Sequence, residues 1–195
     1  MFTFISLFHF NAKIDALLKM AICQYQFEAI HAFRDGNGRA GRIFNIQLLV
    51  QKGLLDLPIL FLSRYIMDHK DEYYSNLAGV SQRGDWASWL IYMLKAVEST
   101  SNLTYQKIND IIEVKDAISN EIEKNTELRK IEQLVQVFFT KPFTKVKHLV
   151  AAGLYAENTA RDYLNKLSVI GVLEKKSING HFYYLNSELN RILAE

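Results

Sequence analysis

The sequence predicts a mainly α protein built in two parts, and three observations carry that reading. Only two prolines, Pro58 and Pro142, interrupt its 195 residues. Apolar residues recur at helical spacing through most of the first 126 positions. Beyond them the pattern shortens to three brief helical stretches and closes in two β-type runs around Asn179 and Gly180. The chain is therefore divided into a helical part, residues 1–126, and a small C-terminal part, residues 127–195.

Met1 to Phe10 is apolar, but it lacks a basic leader and a small-residue cleavage site, so it reads as a helix packing on the next one. From Ile14, apolar residues at Leu17, Leu18, Ala21, Ile22, Tyr25 and Ala29 mark one face of a helix. A second helix runs through Ile43, Ile46, Leu49 and Val50 and stops near Gly53. "LPILFLSRYIMDHKDEYYSNLAGVSQRGDW" reads as two helices, with Ser63 as an N-cap and "QRGD" as the break. A long helix begins at Trp86, whose spacing with Trp89 and Tyr92 places the three in a core. Its continuation from Glu113 to Lys130 mixes charges and reads as a solvated helix or linker. In the C-terminal part, the second and third helices are Val146 to Ala152, ended by Gly153, and Asn158 to Ile170. Asn-Gly between β-type residues then signals a hairpin. Three helices followed by a hairpin is the order of a winged helix-turn-helix.

Composition narrows the function classes. Hydrophobic residues make up 49% and charged residues 23%, with a net charge of +2, so disorder is excluded and no general warrant for membrane or nucleic-acid binding exists. No run reaches the roughly 18 apolar residues of a membrane span. Cys23 is alone, which excludes an internal disulfide framework and fits a cytoplasmic setting. His69, His148 and His181 lack companions at zinc-ligand spacing. Residues 130–195 carry the basic excess. There Arg161, Asn165 and Lys166 favour a DNA-contacting helix while Glu157 and Asp162 oppose it; the other role for such a unit is protein contact or dimerisation.

The informative window is "IHAFRDGNGRAGRIF", residues 30–44. Its Gly36, Gly38 and Gly41 satisfy G-x-G-x-x-G, yet a dinucleotide site needs a preceding strand, and a helical period precedes them here. Two readings survive. In the first it is a polar turn between helices, with Asp35 or Asn37 as a cap and His31 a satisfied interior side chain. In the second it is a phosphate site. A glycine-rich turn opening a helix presents backbone N–H groups to an anion. Arg39 and Arg42, three apart and misplaced for the helix dipole, would share that anion. Asp35 would hold Mg²⁺, which takes few protein carboxylates beside phosphate oxygens. His31 would accept a proton from an attacking hydroxyl.

Here the residues carry a resemblance. "HAFRDGNGRAGR", His31 to Arg42, matches H-x-F-x-(D/E)-G-N-G-R-x-x-R and resembles the signature of the Fic family. The flanking "YQFEAIHAF" and "LPILFLSRYI", with the winged-helix tail, are similar to bacterial members of that family. The resemblance implies a mostly helical Fic domain and transfer of AMP from ATP to a Ser, Thr or Tyr hydroxyl of a target protein. It implies His31 as general base and Asp35 as Mg²⁺ ligand. Asn37 and the backbone of Gly36 and Gly38 would hold the α-phosphate region, Arg39 and Arg42 the outer phosphates, and Phe33 would anchor the loop in the core. Ala32 replaces the family's usual proline. The family also implies a target-clamping β-hairpin flap and, in many members, an inhibitory helix before the motif; the 30 residues ahead of His31 contain neither. The sequence is thus expected to be the C-terminal part of a longer protein, to transfer AMP poorly without its upstream part, and to bury its apolar N-terminal face by self-association or a partner.

Overall fold

A computed structural model describes residues 14–194. The expected helix over Met1 to Phe10 lies outside the described residues. The chain forms two compact units, divided between Tyr105 and Gln106.

In the first unit α1 spans Ala16–Ile30, capped by Asp15, whose carboxylate accepts from the Leu17 N–H at 2.8 Å. Helix α2 (Asn37–Gln51) comes after the polar loop, and α3 (Leu62–Asp68) and α4 (Lys70–Arg83) come next. Gly84, at φ +68°, ends α4 within the anticipated "QRGD" break. Asp85 then caps α5 (Trp86–Asn125) by accepting from the backbone and hydroxyl of Ser88, which holds its carboxyl below the usual range.

The core is built from Met20, Leu48, Leu49, Ile66, Trp89 and Met93. The Trp89 indole N–H donates to the Ala21 carbonyl at 2.9 Å, so its one polar atom is satisfied inside. Trp89 and Tyr92 are buried as expected, and Trp86 packs against them at the edge. Two expectations are corrected. The anticipated face of α1 holds only in part: Ala21 is buried and Leu17 and Tyr25 pack against the core, but Ile14 and Ala29 are exposed, and Met20, Cys23, Gln24 and Phe27 are buried as well. Apolar residues lie on nearly every side of this helix, so spacing alone does not single out the face that meets the core. Ser63 does not cap α3; Phe61 holds that position and Ser63 lies within the first turn.

In the second unit the later turns of α5 are followed by α6 (Ile131–Thr140), β1 (Phe143–Thr144), α7 (Val146–Ala151) and α8 (Glu157–Val169). Then come β2 (Glu174–Ile178), β3 (His181–Leu185) and α9 (Ser187–Ala194). The three strands are antiparallel in the order β1-β3-β2, with Ile178 opposite His181. Between those two residues, Asn179 and Gly180 adopt φ +50° and +76°, the left-handed pair that a two-residue hairpin turn requires. Strand β1 and helix α9 carry no signal noticed in the sequence. The mixed-charge stretch from Glu113 is a helix, but not a wholly solvated one. Ile118 and Ile122 are buried with Leu134, Phe138, Leu164 and Tyr184.

His148 makes this unit sensitive to acid. Its Nδ1 accepts from the Lys145 N–H at 3.3 Å. Burial first, then the charges of Lys141, Lys147 and Lys145, hold its imidazole below the ordinary 6.5. The unfolded chain therefore binds the extra proton, so this stabilisation is complete above about pH 6.5 and is lost as pH falls through the lower folded value. Chemical denaturation of the full chain across that window should show falling stability on acidification, and His148→Gln should flatten the dependence.

Candidate active site

The loop between α1 and α2 is shaped by backbone conformation and by its own polar side chains. His31 ends α1 in the left-handed region, at φ 49° and ψ 52°, with its N–H bonded to the Phe27 carbonyl. This turns the chain sharply and leaves the imidazole exposed beside the pocket. Gly36, at φ +85°, makes the second bend, into α2. Between them Asn37 bonds Phe33 twice: Oδ1 accepts from its N–H at 2.9 Å and Nδ2 donates to its carbonyl at 2.6 Å. Asn37 is buried, and its amide closes the loop. The structure thus commits that side chain to the loop itself, and leaves the backbone N–H groups opening α2 as the loop's offer to an anion.

The other two glycines serve close approach. A Cβ on Gly41 would lie 2.7 Å from Gln24 Oε1, so the absence of a side chain lets α2 seat against α1. A Cβ on Gly38 would lie 3.1 Å from both Arg42 Nη1 and Glu28 Oε1. Gly38 keeps that space open.

His31, Asp35, Gly36, Asn37, Gly38, Arg39 and Arg42 all line one pocket of about 480 Å³, within the usual range for small-molecule sites. Asp35 accepts from the Gly36 N–H at 2.7 Å and pairs with Arg39 at 3.2 Å. Both side chains are more than 70% exposed, so the pair contributes little stability and is free to exchange for a ligand. The Arg42 Nε donates to Ser63 Oγ at 2.7 Å. Phe33 does not enter the core; it is 50% exposed, with its ring 6.0 Å from that of Phe27. The anchoring role expected of it falls to the Asn37 clamp.

Sequence reasoning missed the layer beneath. The Gln24 Nε2 donates to Tyr73 Oη at 2.8 Å and to Glu28 Oε1 at 3.1 Å, and the Asn45 Nδ2 donates to Gln24 Oε1 at 2.9 Å. Tyr73 Oη in turn donates to Glu28 at 2.9 Å. Burial, then the Glu28 charge, pushes the Tyr73 phenol far above its usual range, so it stays protonated as that donor. Gln24 and Glu28 sit one turn apart on one face of α1, and that was the available signal.

The residues proposed for DNA lie on α8, apart from this pocket in the sequence, and two of them, Arg161 and Asn165, are engaged locally. Arg161 pairs with Glu157 at 2.7 Å. Asn165 Oδ1 accepts from Lys175 at 2.7 Å and from Tyr184 at 2.9 Å. Lys166 lines a groove shared with Glu123, Glu127 and Asp162. Among the described residues no group of three or more acids, histidines or cysteines could hold a metal by itself, and no helix is long and apolar enough to cross a membrane.

A helix, a clamped glycine loop and a second helix bearing two arginines thus form one wall of this pocket. Residues 1–49 match the model of the Fic/DOC family, and residues 114–189 match that of the C-terminal domain of SoFic-like protein adenylyltransferases. Both models are of Fic-type proteins and together they cover most of the chain, which supports a Fic family protein of the adenylyltransferase type. It is 45% identical over 53 residues to a probable protein adenylyltransferase of Aquifex aeolicus, a match covering 27% of this chain and 17% of that one. In fold it is similar to a Fic family protein of Desulfovibrio desulfuricans, with a TM-score of 0.50 and 23% identity. That likeness covers 93% of this chain and 52% of the other, so the present chain spans about half of that relative.

If the seating of α2 depends on Gly41, then Gly41→Ala must displace Gln24 and break its bonds to Asn45 and Tyr73. We expect a loss of about 1–3 kcal/mol in a denaturant titration, the usual cost of overpacking.

Proposed function

We propose that this chain binds ATP with Mg²⁺ and carries the groups that transfer AMP to a hydroxyl of a target protein, releasing pyrophosphate. Family membership and the adenylyltransferase relative support AMP transfer at the level of the family. The observation that carries it for this chain is that His31, Asp35, Arg39, Arg42 and the opening of α2 line one pocket.

Each residue then has a distinct task. The backbone N–H groups opening α2, with its positive dipole end, bind the α-phosphate region. Arg39 and Arg42 hold the outer phosphates by charge-assisted bonds, Arg39 by exchanging its exposed contact with Asp35. Ser63 steadies Arg42 through Nε and leaves its outer nitrogens for phosphate. A single exposed carboxylate suits Mg²⁺, which draws its remaining ligands from phosphate and water, so Asp35 fits that ion. The ion supplies neutralisation of phosphate charge when bound. His31 takes the proton of a Ser, Thr or Tyr hydroxyl as its oxygen attacks the α-phosphorus. The bond between the α-phosphorus and the bridging oxygen breaks, and pyrophosphate leaves toward the arginines.

Two substitutions separate binding from chemistry. His31→Ala should retain ATP affinity and lose transfer by roughly 10²-fold or more. Arg42→Ala should weaken ATP binding itself. Calorimetry with Mg-ATP and labelling of protein targets from radiolabelled ATP, in a form competent for transfer, would decide both. Normal transfer by His31→Ala would sink the base assignment.

A further inference from the structure

Two cations that line the pocket around His31 have no task in the nucleotide binding assigned to it. Arg39 is paired with Asp35, and Arg42 is held by Ser63 with the Glu28 carboxylate nearby. Two further cations line the same pocket, Arg34 from the loop and Lys70 from the first turn of α4. Both are exposed, and neither makes an ion pair with a described residue. The placement of Lys70 is selective. It lies within "DHKDE", among Asp68, Asp71 and Glu72, yet none of those three carboxylates lines the pocket. Apolar surface accompanies the cations there: Met67 and Tyr74 line the pocket and remain 73% and 56% exposed.

The geometry points to a docking surface for an acidic protein segment, on which Arg34 and Lys70 receive carboxylates flanking the residue that bears the acceptor hydroxyl. Met67 and Tyr74 cover the apolar parts of the same segment. This names the class of target for the AMP transfer proposed above, and it rests on that reading for the fate of the hydroxyl. Charge selects the favoured partner. A segment carrying lysines would meet like charges here, whereas one carrying glutamates meets two cations with no carboxylate to displace among the described residues. Such charges at the rim of an interface set specificity and register more than total affinity. One exposed pair changes affinity only about two- to fivefold, so the effect is expected from both cations together.

The test uses the full chain and short fluorescent peptides with a central tyrosine flanked by glutamates, glutamines or lysines. Binding is followed by anisotropy at low salt, without nucleotide, and Mg-ATP affinity is measured separately by calorimetry. The unaltered chain should bind the glutamate peptide about fivefold tighter than the glutamine peptide, and the lysine peptide least. The Arg34→Ala, Lys70→Ala double variant should lose that preference and keep its ATP affinity. Arg34→Glu with Lys70→Glu should invert it in favour of the lysine peptide. Equal behaviour of the three peptides would overturn the proposal, as would a preference that survives the double variant. So would a fall in ATP affinity in that variant, which would place both cations on the nucleotide. Failure of the nucleotide reading is a separate result, namely unchanged ATP affinity in Arg42→Ala.

Discussion

One side-chain amide, that of Gln24, joins three of the helices around the pocket. It reaches Glu28 on its own helix, Asn45 on α2 and Tyr73 on α4, all within 3.1 Å. Because Gln24 is fully buried, each lost partner would leave a polar atom stranded from water, which makes the arrangement all-or-none rather than adjustable. The positions of His31, at the end of α1, and of Arg39 and Arg42, on α2, depend on this contact. Gly41 exists to permit it.

Above that layer the loop is stiffened by Asn37 rather than by apolar packing. An aromatic ring in the core could have done the same work, yet Phe33 stays at the surface, and two hydrogen bonds to its backbone replace ring burial. The arrangement frees the Phe33 ring while fixing its main chain. It also accounts for a loop held in one shape although Ala32 supplies no rigid ring of its own.

The helices, their breaks and the hairpin were legible because periodicity, Gly84 and Asn179-Gly180 are local signals. The residues lining the pocket on α2 and its loop were legible for the same reason, since they fall in one contiguous window. The rest depended on contacts far apart in the chain. Tyr73 lies 49 positions from Gln24, and Ser63 lies 21 from Arg42. Nothing local marked either as part of the site. The buried face of α1 was legible only in part because its sequence is apolar nearly all round, and the charges near Glu113 masked Ile118 and Ile122, which complete a core assembled from distant segments. Arg34 occupies a free position of the signature, so the motif gave no reason to weigh it.

His31 occupies a backbone conformation that most side chains resist, at a cost of order 1–2 kcal/mol per residue. Two separate filters therefore act on this one position. The bend admits glycine readily and, among the others, favours asparagine, aspartate and histidine. Proton exchange with a hydroxyl near neutral pH is the province of imidazole. Histidine is the residue type common to both sets, so the chain's geometry and its proposed chemistry select the same side chain independently.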